Sequence, residues 1–250
     1  MWQYSVCPRS SGNYIEDGDI QKINIAEQNC RDCSNAIERE PNRANLYLDR
    51  SRFQQGLKKY DLAIQDLSIA MQLDPERSYF YLYLRHLLHL YMGNLEKALE
   101  DIRQAVDTGP DGSDYFRCLA YVYQQLGQID NAVTALTNGI SRDPYSHLSY
   151  LRRAAFYEGI GHLEEALCDA TEAVRIKPRN WIIYRDRVSI YIKLGQFENA
   201  LRDCNTCIEA EPKEWTHYRV RSEVYAAMGD SNAAGCDYTE SMNLNSFINR

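Results

Sequence analysis

Two pairs of cysteines have the spacing that zinc sites and redox centres use. Cys30 and Cys33 form one Cys-x-x-Cys pair, and Cys204 and Cys207 form the other. A thiolate is both a zinc ligand and a nucleophile, so a pair at this spacing can hold a metal ion or form a disulfide. Both pairs fall inside predicted helices, however, and they are too far apart in the chain to complete one tetrahedral site. We therefore expect small core side chains and no metal site.

Histidines are a second possible source of chemistry. His86 and His89 are one helical turn apart and could supply two metal ligands, but no third ligand is visible nearby, so packing is the favoured interpretation. The others, His147, His162 and His217, form no triad with a nucleophile, and no glycine-rich loop is left to cradle a phosphate. The sequence predicts no catalytic residue and no cofactor, and hence a protein that is not an enzyme.

The elements that carry these residues recur along the chain. Residues 147–178 read as two amphipathic helices that meet at Gly161 and end at Pro178, because glycine favours a left-handed turn and proline ends the preceding helix. The turn glycine recurs every 34 residues, at Gly93, Gly127, Gly161, Gly195 and Gly229. The closing proline recurs at Pro41, Pro75, Pro110, Pro144, Pro178 and Pro212, with a single interval of 35. A series of helical hairpins is predicted.

This spacing sets the expected boundaries. Residues 1–13 are an N-terminal tail, residues 14–41 a degenerate, capping half-repeat, and residues 247–250 a C-terminal tail. The six full repeats are expected at residues 44–75, 79–110, 113–144, 147–178, 181–212 and 215–246. The turn of the first repeat is the least certain, because Lys58 stands at the usual place of the glycine.

The fifth repeat shows the fullest version of a known pattern. Its signature residues are Trp181, Tyr184, Val188, Tyr191, Leu194-Gly195, Ala200 and Pro212. In these residues and in its 34-residue period the chain resembles the tetratricopeptide-repeat (TPR) family. The resemblance covers nearly the whole chain. It implies an all-α fold of the α-α superhelix class, a TPR solenoid of antiparallel helix pairs.

The composition limits which classes of partner and which cellular compartment are expected for this chain. The 250 residues carry a net charge of -7, which argues against nucleic acid, since phosphate binding needs a basic surface. No stretch reaches the roughly 18 apolar residues of a membrane span, and the first residues lack the pattern of a signal peptide. Eight cysteines in a long helical chain fit a reducing compartment. We expect a cytoplasmic protein with no nucleic-acid or membrane partner.

One pair of charged positions changes together between repeats. Arginine recurs at Arg50, Arg85, Arg153, Arg187 and Arg221, and aspartate follows sixteen residues later at Asp66, Asp101, Asp169, Asp203 and Asp237. The third repeat has lost both, with Leu119 and Ala135 in their places. Joint loss predicts an ion pair inside each of the other five hairpins; solvated charges are the alternative.

The resemblance also implies where a partner would bind, because the first helix of each repeat lines a concave wall in this family. In the second repeat the residues expected there are apolar or aromatic: Phe80, Tyr83, Leu84, Leu87, Leu90 and Tyr91. They predict either an anchor pocket for a hydrophobic side chain or burial by neighbouring repeats.

Further along, the same wall is expected to carry Tyr121 and one arginine per repeat, at Arg117, Arg152, Arg185 and Arg219. Such a row could bind carboxylates, although Asp186 and Glu223 lie beside it. Family members that grip the acidic tails of heat-shock chaperones use lysine and asparagine at set places. Here those places hold Arg117, Tyr121, Arg152, Ile182 and Asp186, so that mechanism is not expected.

Three functions remain open at this point. The leading one is a non-catalytic scaffold or adaptor that binds a protein segment, with apolar and acidic residues, in its concave groove. The alternative is a structural solenoid that assembles with further copies through its open sixth repeat. A helical-repeat reader of RNA is disfavoured by the acidic charge and the period of 34 residues.

Overall fold

The computed structural model describes residues 17–110 and 112–248. The expected N-terminal tail, residues 1–13, lies outside the described residues. All regular secondary structure in the described part is helical, which confirms the all-α prediction. By its internal contacts the chain divides into two compact units, the first ending at Gly109 and the second beginning at Pro110.

The first unit contains α1 to α5. Their bounds are α1 Asp17–Arg39, α2 Ala44–Gly56, α3 Tyr60–Leu73, α4 Ser78–Tyr91 and α5 Leu95–Thr108, with a short 3-10 turn at Pro75–Arg77 between α3 and α4. Two hairpins, α2 with α3 and α4 with α5, follow the single helix α1. Within this unit α1 also packs against α2, and α3 packs against α4.

The second unit contains four hairpins. Their helices are α6 Ser113–Gln125, α7 Ile129–Arg142, α8 His147–Gly159, α9 Leu163–Ile176, α10 Trp181–Lys193, α11 Phe197–Ala210, α12 Trp215–Met228 and α13 Ser231–Ile248. The second helix of one hairpin packs against the first helix of the next: α7 on α8, α9 on α10, and α11 on α12. First helices also touch, α6 with α8 and α10 with α12, so they line one face of the unit.

Small residues allow the paired helices to approach closely. The recurring alanine of the second helix has no exposed surface at Ala63, Ala98, Ala132, Ala166 and Ala200. A larger side chain at these places would separate the two helices, because protein interiors leave no spare volume. The alanine spacing seen in the sequence is therefore the contact line of each hairpin.

The turns share one backbone conformation. Five are made by glycines with φ between 69° and 85°; at Gly161 the N–H donates to the Glu158 carbonyl, and the His162 N–H donates to the Tyr157 carbonyl. Lys58 adopts the same left-handed geometry, with φ of 58°, and the N–H groups of Lys58 and Lys59 make the equivalent bonds. The first-repeat turn therefore forms without its glycine.

The extra residue of the 35-residue interval lies in the second repeat. Helix α4 has 14 residues where α6 and α8 have 13, and the 3-10 turn at Pro75–Arg77 comes directly before it. The added residue precedes Arg85, because the separations from Arg85 to Asp101 and from Arg153 to Asp169 are equal. The register of the rest of the hairpin is unchanged.

Candidate functional site

An arginine of the first helix and an aspartate of the second form a bidentate ion pair in five hairpins. Arg153 Nε and Nη2 donate to Asp169 Oδ2 and Oδ1 at 2.7 and 2.8 Å. The same two bonds join Arg50 to Asp66, Arg85 to Asp101, Arg187 to Asp203, and Arg221 to Asp237. All five aspartates are buried. The pairing predicted from joint loss is confirmed.

Tyrosine rings cover both sides of several of these guanidinium groups. Arg153 Cζ lies 5.9 Å from the ring centres of both Tyr150 and Tyr157. Two tyrosines flank Arg187 and Arg221 in the same way, at 5.5 to 6.0 Å. Each arginine is thereby fixed by ion pairing in its plane and by cation–π contact on its faces. Arg153, Arg187 and Arg221 therefore hold their hairpins together and present no free face to a ligand.

Four of these five arginines also connect their hairpin to the helix before it. Arg50 Nη1 donates to Ser34 Oγ of α1 at 3.0 Å, and Arg85 Nη1 donates to Ser68 Oγ of α3 at 3.0 Å. In the second unit, Arg153 reaches Thr137 Oγ1 at 2.9 Å and Arg221 reaches Asn205 Oδ1 at 2.7 Å. Sequence comparison missed this third contact, although a short polar residue recurs at that place.

Burial makes the thiols of both Cys-x-x-Cys pairs less reactive than their spacing suggests. Cys204 and Cys207 are buried, and burial raises the pKa of each thiol to about 12, so both are protonated at neutral pH and are poor nucleophiles. Burial also raises the pKa of Cys30 and of Cys33. In residues 17–110 and 112–248, no group of three or more His, Cys, Asp or Glu side chains could hold a metal ion.

His86 and His89 are buried in the first unit. His86 has no exposed surface, and neither of its ring nitrogens has a hydrogen-bond partner among the described residues. Burial, helped by the nearby His89, lowers the pKa of His86 to about 4. His89 Nε2 lies 3.9 Å from Asp101 Oδ2, and burial lowers the pKa of His89 as well. Both histidines are therefore neutral packing residues near pH 7.

The predicted arginine row lies on first helices of the second unit, and three of its members have acidic neighbours. Arg117 Nη1 is 2.6 Å from Asp114 Oδ1, Arg185 Nη2 is 3.2 Å from Asp186 Oδ1, and Arg219 Nε is 3.8 Å from Glu223 Oε1. Arg117 is half-buried and also contacts Ser146 at 3.4 Å. Arg152 is exposed and Tyr121 is half-buried. The row stays a prediction, and Arg152, Arg185 and Arg219 are its exposed members.

Two apolar side chains on the same first helices are exposed. Leu148 of α8 is 45% exposed and Ile182 of α10 is 61% exposed, and they occupy the same place in successive repeats. They lie one helical turn before Arg152 and Arg185. The sequence reading left them out of the predicted wall, although the 34-residue spacing between two large aliphatic residues was available as a signal.

The apolar residues predicted on α4 are mostly engaged within the first unit. Phe80 and Leu84 pack against the core formed around Tyr47, Leu67 and Tyr81. The half-buried Tyr83 ring lies 5.7 Å from His86, and the 52% exposed Tyr91 ring stacks on Tyr60 at 5.9 Å. Leu87 and Leu90 are half-buried. Tyr91 is the most exposed of the six, and an anchor pocket here stays a prediction.

The described chain is thus a protein of stacked, near-identical helical hairpins with an exposed first-helix face in its second unit. A model of the tetratricopeptide repeat matches residues 119–146 and 186–214, and solved TPR structures share the fold. The chain therefore contains tetratricopeptide repeats and has the TPR fold, as its sequence indicated.

Several known proteins are similar to parts of this chain. BBSome complex member BBS4 from Bos taurus is 30% identical over 95 residues, which are 38% of this chain and 18% of that protein. YrrB, a TPR protein with an unusual peptide-binding site, is 18% identical, with a TM-score of 0.54 over 72% of this chain and 92% of YrrB.

A larger assembly also contains a similar fold. A chain of the Cut9–Hcn1 hetero-tetramer of the APC/C is 14% identical, with a TM-score of 0.58 over 91% of this chain and 45% of that chain.

Among the helices of residues 17–110 and 112–248, none has the length and apolar character that a membrane span needs.

Proposed function

We propose that this protein is a non-catalytic scaffold that binds an extended segment of another protein. The observation that carries the proposal is the first-helix face of the second unit, where Leu148 and Ile182 are exposed beside Arg152 and Arg185. Exposed aliphatic side chains that recur beside cations on one face suit a ligand with apolar and acidic groups. The similar fold of YrrB, which has a peptide-binding site, supports the same function.

The chemistry of this face defines the segment. Leu148 and Ile182 offer two apolar contacts one repeat apart, and the neighbouring arginines offer planar donors that suit carboxylates. Because Asp186 contacts Arg185, a ligand carboxylate must compete for that guanidinium, whereas Arg152 is exposed. A segment with aliphatic and acidic residues is the best match. The apolar residues of α4 are a separate candidate surface in the first unit.

Peptide selection on the purified protein tests this proposal. Phage display should enrich acidic and aliphatic peptides, and we expect Arg152→Glu with Arg185→Glu to weaken a selected peptide at least about tenfold, since two attractive contacts become repulsive. The charge-matched control is Arg175→Glu with Arg202→Glu on second helices, which should leave the affinity unchanged. Equal affinities for all three proteins, measured by fluorescence anisotropy, would refute this surface as the binding site.

A second candidate function is self-assembly through the last helix. Tyr238 and Met242 of α13 are 53% and 54% exposed and lie one helical turn apart. Such a pair could pack against another copy of the chain, as second helices pack against first helices elsewhere in the second unit. Cytoplasmic location and an adaptor role remain part of the proposal.

A further inference from the structure

The first unit contains a groove on the side formed by α1 and α3. Its volume is about 480 Å³, within the range of roughly 300–1,000 Å³ that is usual for ligand sites. Residues of three helices line it, among them Cys30, Ser34, Arg50, Gln54, Lys59 and Leu62. Lys59 and Leu62 are exposed at its edge, whereas Gln54 is buried. The groove is separate from every surface assigned above.

Two side chains that line the groove are smaller than their counterparts in most other repeats. Gln54 stands at the place that tyrosine holds in four repeats, at Tyr123, Tyr157, Tyr191 and Tyr225. Cys30 stands at the place that larger aliphatic residues hold in five other second helices, at Ile64, Leu99, Val133, Leu167 and Leu201. Each replacement removes bulk where helices of adjacent repeats meet. Together they leave a space beside Arg50.

Arg50 offers a prepared surface to that space. Its guanidinium is held by Asp66 and Ser34, and the Tyr47 ring lies 5.7 Å from Arg50 Cζ. The corresponding Arg153 has a second ring, Tyr157, which Gln54 replaces in the first hairpin. An immobilised guanidinium that lacks its second ring is an energetically favourable partner for an aromatic side chain.

Gln54 supplies a polar group at the same position. It is 8% exposed, and its side-chain carbonyl oxygen has no hydrogen-bond partner among the described residues. A buried acceptor without a donor is costly, and rotation of the terminal amide towards the groove would let a ligand hydroxyl donate to this oxygen. A ligand that fits both groups has an aromatic ring to stack on Arg50 and a hydrogen-bond donor at the far end of the ring for Gln54.

We propose that this groove binds the side chain of a tyrosine from a partner protein segment. The tyrosine ring of the partner enters with its hydroxyl first and stacks on Arg50. It takes the place that the Tyr157 ring has on Arg153 in the fourth repeat. The hydroxyl then donates to the Gln54 carbonyl oxygen after rotation of the terminal amide. Because this site lies in the first unit, it does not rest on the proposed function of the second.

A titration followed by two-dimensional amide NMR tests the site, with N-acetyl-tyrosinamide as the probe. We expect shifts confined to residues that line the groove, saturating in the millimolar range that suits one side chain. N-acetyl-phenylalaninamide should bind several-fold more weakly because it lacks the hydroxyl. No shift with the tyrosine probe at about 20 mM, or an equal response to both probes, overturns the proposal.

Gln54→Tyr is the matched variant. It restores the residue that other repeats have at this place, so the chain should fold with an unchanged or higher melting temperature and lose all response to the probe. Retention of the shifts in folded Gln54→Tyr would place the binding elsewhere and overturn the assignment.

The chain's own aromatic residues are the competing occupant. Trp2, Tyr4 and Tyr14 precede α1 in the sequence, so the titration is repeated on the full chain with all three changed to alanine. The proposal expects the wild type and this variant to respond equally. Binding by the variant but not by the wild type would mean that the chain fills its own groove, and would overturn a site for a partner.

Discussion

At the scale of single residues, the arginine–aspartate pairs are the strongest polar contacts of the hairpins. Each joins a half-buried guanidinium to a buried carboxylate, with side-chain exposures of 16% and 6% at Arg153 and Asp169. Loss of one partner leaves the other charged and desolvated, which costs more than loss of both. We therefore expect the pairs to favour the correct pairing of helices as well as to add stability.

A double-mutant cycle measures this coupling. Arg153→Ala and Asp169→Ala should each lower the free energy of unfolding by about 2–4 kcal/mol, and the double variant should lose about 1–3 kcal/mol less than their sum. Urea denaturation followed by circular dichroism gives all the values. The control pair on α9 has side-chain exposures of 61% at Arg175 and 33% at Glu172 and should show a coupling of less than about 0.5 kcal/mol. Additive losses at Arg153 and Asp169 would contradict the interpretation.

His86 predicts a dependence of stability on pH. Its pKa is about 4 in the fold, against about 6.5 in the unfolded chain, so below pH 6.5 the unfolded state takes up a proton that the folded state does not. Above pH 6.5 His86 does not lower the free energy of unfolding. As the pH falls from 6.5 towards 4, the free energy of unfolding decreases by up to about 1.4 kcal/mol per pH unit.

Substitution isolates the contribution of this histidine. His86→Ala, which places the residue of Ala154 in α4, should reduce the slope of unfolding free energy against pH between 6.5 and 4. Some slope will remain, because burial also lowers the pKa of His89. His162→Ala, at an exposed turn, should leave the slope as it is. An unaltered slope in His86→Ala would show that His86 is not the group that titrates.

Sequence comparison between repeats predicted the ion pairs because both members vary together, which is a signal of contact. It did not predict the exposure of Leu148 and Ile182 or the groove beside Gln54. Those features depend on how much surface the neighbouring helices leave exposed. The residue type at one repeat position does not indicate that exposure. Gln54 and Cys30 are each ordinary residues in the sequence and produce a groove only together.

At the scale of the helices and turns, the repeat spacing predicted where helices end, because each end depends on a local glycine or proline. The interval of 35 showed that one repeat holds an extra residue, but its accommodation in α4 depends on the packing of that hairpin. Gly18 lies inside α1, which is described from Asp17 onwards, in the stretch where the sequence predicted a degenerate half-repeat.

The turn after α2 gives a test at this scale. Lys58 has a φ of 58°, and the left-handed conformation costs a residue with a β-carbon roughly 1–2 kcal/mol. Lys58→Gly should therefore raise the free energy of unfolding by about 1 kcal/mol, part of the gain being lost to the greater freedom of glycine in the unfolded chain. Thermal and urea unfolding both report it.

Gly93→Lys is the reciprocal control and should lower the free energy of unfolding by a similar amount. If Lys58→Gly left the unfolding midpoint unchanged or lowered it, the Lys58 side chain would have to contribute a compensating contact.

At the scale of the whole molecule, the two compact units each combine neighbour-on-neighbour packing with a different exposed surface. In the second unit the last helix, α13, presents Tyr238 and Met242. If these residues mediate self-assembly, sedimentation coefficients should rise with protein concentration, and Tyr238→Lys with Met242→Lys should abolish the rise. Tyr145→Lys, at a 73% exposed aromatic residue of a loop, is the control. A constant sedimentation coefficient in the wild type excludes the assembly.

The sequence predicted the class of this molecule and the non-catalytic character proposed for it, since one residue pattern repeats through nearly all of the chain. It does not predict the partner, because peptide recognition depends on exposed residues that vary freely between repeats. For example, the place of Arg152 holds Asp186 in the next repeat and Val220 in the one after. Binding experiments with the exposed surface of each unit are therefore needed to identify the partner.

The arginine that links two hairpins also determines where the chain tolerates a change of length. Arg153 bonds to residues sixteen positions before and after it, Thr137 and Asp169, whereas Arg85 bonds to Ser68 seventeen positions before it. Insertion of a whole repeat preserves every separation. A single inserted residue is accommodated ahead of the arginine, as in α4, but between arginine and aspartate it would rotate one helix by about 100° and break the pair. Natural variants and engineered fusions of this protein should therefore gain residues at the start of first helices and not in the turns that follow.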